Sequence, residues 1–204
     1  VNTRMGVERC IRYAFELASG TDRKHLTLAH KTNVLNFSGD LWQRAFNEVA
    51  VDYPSVTTAY NHVDAACIYM VQSPQQYDVI VTDNLFGDIL SDLGPAITGT
   101  IGIAPSGNIN PERQFPSMFE PVHGSAPDIE GQDIANPTAM VLSLAMMLDW
   151  IAAREQDNKL KEAGHLLNVA LDAQLADPST CTRDLGGPLG CKAFGQALVK
   201  RLED

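Results

Sequence analysis

The sequence predicts an α/β fold with at least some parallel strands. Short apolar runs alternate with amphipathic helical stretches from residue 7 to residue 93. Each run passes into a helix within a few residues, the pattern of parallel strands joined by helical crossovers. One run, "YDVIVTDN", is nearly continuous in apolar residues and reads as a strand buried on both faces.

The elements follow in order. Val7, Cys10, Ile11, Ala14, Phe15 and Ala18 recur at helical spacing, with Gly20 as a stop. "HLTLAH", His25 to His30, alternates as a strand does, and Lys31 follows it. "GDLWQRAFNEVAVDYP" is an amphipathic helix closed by Pro54. Val56 to Tyr60 is a strand, and "VDAACIYMVQSP" a helix with Asp64 in its first turn. The helix after "YDVIVTDN" carries Asp88 and Asp92 on one face and Ile89, Leu90 and Leu93 on the other. After Leu93 the texture changes. "GPAITGTIGIAPSGNINPERQFP" is a long loop or domain crossover, and "MFEPVHGSAPDIEGQDIANP" a second irregular stretch. Asn136 and Pro137 then start a helix from Thr138 to about Ala153, apolar almost all round and therefore central. "NKLKEAGHLLNVALDAQL" is a further amphipathic helix, and "TRDLGGPLGCKAFGQALVKRLED" a glycine-rich turn followed by a terminal helix.

Composition narrows the function classes. A content of 45% hydrophobic and 20% charged residues suits a globular protein with a real core. The net charge of −10 argues against nucleic acid or an anionic membrane as the main partner. The longest apolar run, Ala139 to Leu148, is interrupted by Ser143 and is too short to span a bilayer. Cys10, Cys67, Cys181 and Cys191 form no Cys-x-x-Cys pair, which speaks against zinc. They read as buried free thiols in a reducing cytosol, the mark of a cytoplasmic protein.

Three constellations can carry chemistry. Asp88 and Asp92 follow a buried strand, where open α/β sheets bind ligands. Their carboxylates suit magnesium or manganese, or else form a solvated helix face near a helix N-terminus. Lys31, at a strand end, suits a general base or is a surface lysine. "HGSAPDIEG" can bring backbone N–H groups close to a ligand while Asp128 accepts ribose hydroxyls, or it is an ordinary loop. No G-x-G-x-x-G occurs, so a standard Rossmann nucleotide site is not supported.

Together the segments "NLFGDILSDL", "EPVHGSAPDIEGQDIANP" and "DLGGPLGCKAF" resemble, in order, signatures of the C-terminal half of the β-decarboxylating dehydrogenases. That family includes isopropylmalate, isocitrate, tartrate and D-malate dehydrogenases. The resemblance implies an isopropylmalate-dehydrogenase-like fold, a mixed sheet flanked by helices, with the N-terminal half absent. Residues 1–98 then belong to the substrate and dimerisation domain, and 99–204 to the nucleotide-binding domain. It implies oxidation of a hydroxy-dicarboxylate with NAD and Mg2+ or Mn2+, in a homodimer with shared active sites. Asp88 and Asp92 match metal-and-substrate aspartates; Asp64 matches a third and Lys31 the catalytic lysine, both given across the dimer. Asn33 matches a residue near the nicotinamide. His123, Gly124, Ser125, Ala126, Asp128, Ile129 and Asn136 match the nucleotide-binding loop. "GTIGIAPSGNINPER" looks most like the tartrate and D-malate branch, while "KTNVL" also suits isopropylmalate enzymes. The family's substrate-clamping arginines are expected upstream of Val1. A chain of these residues alone is thus expected to show little activity, and a non-catalytic subunit keeping the fold is the rival reading.

Overall fold

The structure, a computed structural model, describes residues 1–203. The chain divides into two compact units, Val1–Ile97 and Thr98–Asp204.

The first unit is helix α1 (Arg4–Ser19), strand β1 (His25–His30), α2 (Asn36–Ala50), β2 (Thr57–His62), α3 (Val63–Gln72), β3 (Val79–Val81) and α4 (Asn84–Thr98). The three strands are parallel in the order β2-β1-β3. β1 is therefore the strand buried on both faces, with Leu26 through His30 all buried. β3, expected from "YDVIVTDN" to be that strand, is a short edge strand in which only Val81 is buried. Val79 and Val81 pack toward α1 and α2 and Ile80 toward α3 and α4, while among the described residues one edge of the strand has no neighbour.

Helices cover both faces of this sheet. Val7, Ile11, Ala14, Phe15 and Ala18 of α1 and Trp42, Ala45, Phe46 and Val49 of α2 pack with Leu26 and Leu28. Phe15 sits at the centre, its ring 5.2 Å from Phe46 and 5.1 Å from Tyr53 between centroids. On the opposite face Ala29 meets Ala66 of α3 and Leu90 of α4. α1 begins where the Thr3 side chain accepts a hydrogen bond from the Gly6 N–H, so one of its orphan donors is satisfied. α4 runs past Gly94 and Pro95 to Thr98, beyond the break expected at Gly94. Pro95 lies in the last turn, so its missing N–H costs only one helical bond. Ile89, expected on the packed face of α4, is exposed, while Leu90 is buried.

The second unit is a hairpin, β4 (Pro105–Asn108) and β5 (Met118–Pro121), then α5 (Thr138–Glu155), α6 (Asn158–Leu175) and α7 (Cys191–Glu203). The hairpin lies inside the stretches expected to be loop. Its strands are short and rich in Gly, Pro and Asn, the residues that argue against strand. Ala170, Leu171, Phe194 and Leu198 form the core between α6 and α7. α5 packs against α6 and both hairpin strands, yet Met140 and Leu144 on it are exposed, so it is central without being enclosed. Gln156 ends α5 in the left-handed conformation, and the Asp157 carboxylate then caps α6 by accepting from the N–H of Lys159 and Leu160.

All four cysteines are free, but only Cys181 is buried and Cys10 is exposed. Among the described residues no helix is long and apolar enough to cross a membrane.

Candidate functional site

The parallel register of the first unit sets its reactive residues. His30 of β1 pairs with His62 of β2, so Lys31 and the first turn of α3 emerge side by side at the carboxyl ends of adjacent strands. The Lys31 ammonium and the Asp64 carboxylate meet at 2.5 Å. That hydrogen bond holds the Asp64 carboxyl below the usual carboxylate range. The turn after Lys31 is tightly bound: the Tyr60 hydroxyl accepts from the Thr32 N–H at 3.2 Å and donates to the His30 carbonyl at 3.2 Å. Gly39 of α2 lies so close that a side chain there would meet Thr32 Cα at 2.7 Å. Asn33, at the tip of this turn, is exposed.

Asp88 and Asp92 lie one turn apart on α4, and both are exposed. Asp83 fixes where that helix starts. One of its oxygens accepts from the Phe86 N–H at 3.0 Å; the other lies 3.2 Å from Nε2 of His30. His30 is fully buried, its ring near Trp42 and edge-on to Phe86. Burial pushes the imidazole pKa down, and Asp83 only partly opposes this. The end of the lysine strand and the start of the aspartate helix are thus tied by one buried pair. Among the described residues no three His, Cys, Asp or Glu side chains gather into a metal-ligand set. The structure therefore does not bring Asp64, Asp88 and Asp92 together within one chain.

The second unit holds a cavity of about 980 Å3. His123, Gly124, Ser125, Ala126, Ile129 and Asn136 line it. Asp128 is exposed and lies outside the lining; its carbonyl accepts from the Gln132 amide at 2.7 Å. Asn33 belongs to the other unit. The loop turns sharply: Ala126, Gly131 and Asp133 all have positive φ. Left-handed residues of this kind turn successive backbone N–H groups toward a common concavity and collect at ligand sites. A Cβ on Gly124 would meet nothing within 4 Å, so the cavity wall is open there. Asn136 is not the N-cap itself. It sits two residues before α5, where its Oδ1 accepts from the Thr138 N–H at 3.0 Å.

Several lining residues had no assigned role in the sequence reading. Thr100, Gly102, Asp184, Cys191 and Lys192 reach the cavity from three further segments, and Asp133 lies on the loop itself. Asp133 ties the loop to α7 by accepting from Lys192 N–H at 2.9 Å and, through its carbonyl, from Cys191 N–H at 3.1 Å. The glycine run after Asp184 marked a turn, but nothing local marks which loop that turn will touch.

A family model described as isocitrate/isopropylmalate dehydrogenase matches residues 1–198. A 3-isopropylmalate dehydrogenase of Corynebacterium aurimucosum is 62% identical over 186 residues, covering 91% of this chain and 53% of that protein. One of Clavibacter sepedonicus is 52% identical over 202 residues, covering 99% of this chain and 54% of that protein. The chain thus spans about half the length of the curated relatives it matches. Among solved structures, an isocitrate dehydrogenase from Methylococcus capsulatus superposes with a TM-score of 0.91 at 40% identity, covering all of this chain and 58% of that one.

Proposed function

Since the chain belongs to the isocitrate/isopropylmalate dehydrogenase family, we propose that it serves NAD-linked, metal-dependent oxidation of 3-isopropylmalate. The branch suggested by "GTIGIAPSGNINPER" was tartrate and D-malate. The names of relatives at 52% and 62% identity favour the isopropylmalate alternative instead. Residues 1–98 would be substrate and dimerisation domain, and 99–204 nucleotide-binding domain.

The residues present fit the absent groups. Carboxylate oxygens of Asp64, Asp88 and Asp92 are the hard donors that Mg2+ or Mn2+ requires. The cavity of the second unit has the size and the loop-built wall of a cofactor site, with His123, Gly124, Ser125, Ala126, Ile129 and Asn136 against NAD. Asp128, exposed between the lining residues Pro127 and Ile129, would accept the ribose hydroxyls. Asn33 would stand near the nicotinamide. When bound, the ion supplies polarisation of the substrate hydroxyl and NAD supplies a hydride acceptor.

The chain's own residues do the rest. In its neutral form Lys31 Nζ would take the hydroxyl proton and become the ammonium that Asp64 holds at the sheet end. Asp88 and Asp92 would hold the ion, which would supply ligation of the substrate's oxygens. With the three aspartates apart in one chain, a homodimer completes each site. Lys31 and Asp64 of one protomer then serve Asp88 and Asp92 of the partner subunit. The product keto acid, with its carboxylate one carbon removed, can lose carbon dioxide.

The observation that carries this reading is the Lys31–Asp64 contact at the carboxyl ends of parallel strands, where open α/β sheets bind ligands. The test is NAD reduction by the intact dehydrogenase containing this chain, with Mn2+, on 3-isopropylmalate, D-malate, tartrate and isocitrate. The highest kcat/KM is expected for 3-isopropylmalate. A higher value for D-malate or tartrate would overturn the substrate, and NAD binding without turnover on any would overturn the enzyme.

A further inference from the structure

Three segments distant in sequence converge on one carboxylate oxygen in the second unit. Asp184 Oδ2 accepts from the Thr100 hydroxyl at 2.6 Å and from the Asn136 amide at 3.0 Å. Thr100 Oγ1 in turn accepts from the Gly102 N–H at 3.1 Å and caps the short turn Ile101–Ile103. The Asn136 carboxamide is held from both ends, its nitrogen on Asp184 and its oxygen on the Thr138 N–H at the start of α5. Asn136 is itself buried.

The packing leaves no slack around this junction. A Cβ on Gly102 would stand 2.8 Å from Asn136 Cβ and 3.2 Å from Asp184 Oδ2. The Asp184 side rests on its own short turn, Arg183–Leu185, closed by Gly186 at φ +81°. Burial pushes the Asp184 carboxyl up, but the donors around it, Thr100 foremost, bring it below the ordinary carboxylate range. It is therefore a charged acceptor, the kind that makes the stronger hydrogen bonds. Thr100, Asn136 and Asp184 all line the cavity.

We propose that Asp184 is a positioning residue for the cavity. By fixing Asn136 and the Thr100 turn, it presets the loop His123–Asn136 in the shape that receives NAD. The inference rests on the reading of the cavity as the NAD site. Because the Asn136 side chain is committed to Asp184 and Thr138, its part toward NAD falls to the main chain. A loop with positive φ at Ala126 and Asp133 has other shapes open to it, and ordering it at the moment of binding would cost affinity.

The experiment compares Asp184→Ala, Asp184→Asn and Gln174→Ala in the intact dehydrogenase. Gln174 is a buried residue of the same unit outside the cavity, where its amide donates to the Phe194 carbonyl at 2.9 Å. NAD affinity is read by calorimetric titration, Mn2+ affinity by the same method with the metal alone, and folding by thermal unfolding. Asp184→Ala is expected to weaken NAD binding by about tenfold or more, the scale of a lost charged hydrogen bond, with Mn2+ binding unchanged. Asp184→Asn keeps an acceptor oxygen and should recover most of the affinity. Gln174→Ala should lower the unfolding temperature while leaving NAD affinity within about twofold, since Gln174 neither lines the cavity nor bonds to the loop directly.

Asp184→Ala binding NAD as tightly as the unsubstituted protein would overturn the inference alone. So would loss of NAD affinity in Gln174→Ala in step with its lost stability. If Asp184→Ala does not fold, Thr100→Val removes one donor of the same junction and is judged by the same NAD threshold. Absence of NAD binding by the unsubstituted dehydrogenase would instead defeat the cavity's reading, and the inference with it.

Discussion

The two units place their functional residues in opposite ways. In the first, the core is large and apolar, built around Phe15, Leu26, Leu28 and Trp42. Its candidate chemistry stands outside that core, with Asp64, Asp88 and Asp92 exposed at element starts and on a helix face. In the second, the apolar core is small, and the candidate site is a cavity of about 980 Å3 walled by loops that polar side chains lock together. A rigid sheet can hold reactive groups at its rim with little local support. A loop-built cavity has to spend buried hydrogen bonds to keep its shape. The first unit thus carries its candidate residues exposed and apart; the second carries a cavity whose lining residues all come from its own fold.

The largest expected effect separates the two units by chemistry. Lys31→Ala in the intact dehydrogenase should lower kcat on the order of a hundred- to ten-thousandfold, the usual worth of a positioned acid–base group. NAD affinity, measured by titration, should not move, because Lys31 lies in the unit without the cavity. Mixed dimers of Lys31→Ala and Asp88→Ala protomers should regain activity, since one of the two sites then collects neither lesion. Full activity in Lys31→Ala, or none in verified mixed dimers, would break the comparison.

The next effect contrasts the cores. Phe15→Ala should cost about 3–5 kcal/mol, because the ring is fully buried between Phe46 and Tyr53 and the space cannot close. Denaturant unfolding checks the value. Phe194→Ala strikes a smaller cluster and takes with it the carbonyl side of the Gln174 bond only if the helix shifts. A loss equal to that of Phe15→Ala would mean that the second core is more cooperative than its apolar content suggests.

A smaller effect concerns the metal. Asp92→Asn removes a charge at nearly constant volume and should weaken Mn2+ binding about tenfold, as ligand charge governs affinity at such sites. Calorimetry on the intact dehydrogenase reads it; unchanged affinity with unchanged activity would remove Asp92 from the ligand set.

The smallest effect is set by pH. Burial lowers the pKa of His30 in the folded state, so the unfolded state takes up a proton first. Stability associated with His30 is then complete above the ordinary imidazole value, roughly 6.5, and declines as pH falls below it. The unfolding temperature should drop by about 2–4 °C for each kcal/mol lost. In His30→Gln the part of this acid sensitivity due to the imidazole should vanish. An identical pH profile in the variant would show that His30 does not titrate with folding.

How much of this was readable follows the same division. Every helix and strand of the first unit has a local signature: the spacing of Val7, Ile11 and Phe15, the alternation of "HLTLAH", Asp64 just inside a helix start. What periodicity could not say is which strand lies in the middle. Strand order depends on pairing across β1, β2 and β3, and an apolar run such as "YDVIV" looks alike at a centre or a flanked edge. In the second unit the hairpin escaped, because Pro105, Gly107 and Asn108 have the chemistry of a loop. The loop His123–Asn136 stood out through its resemblance to a family signature. Asp184 and Thr100 did not, since their role comes from a hydrogen bond that spans 84 positions of sequence. The His30–Asp83 pair escaped for the same reason, each residue being ordinary in its own neighbourhood.

That long reach of the Thr100–Asp184 bond has a consequence in time. A chain is made from its N-terminal side at about 5–20 residues per second, so Thr100 precedes Asp184 by roughly 4–17 s at those rates. The strands of the first unit pair within residues 25–81 and their last covering helix ends at Thr98, so that unit can settle in that interval. The loop His123–Asn136 is complete for only the last part of that interval, roughly 2–10 s at those rates, and over that time it stands without its anchor. On a nascent chain this segment is the expected place for proteolytic nicking, and its resistance should appear only once residue 184 has cleared the ribosome.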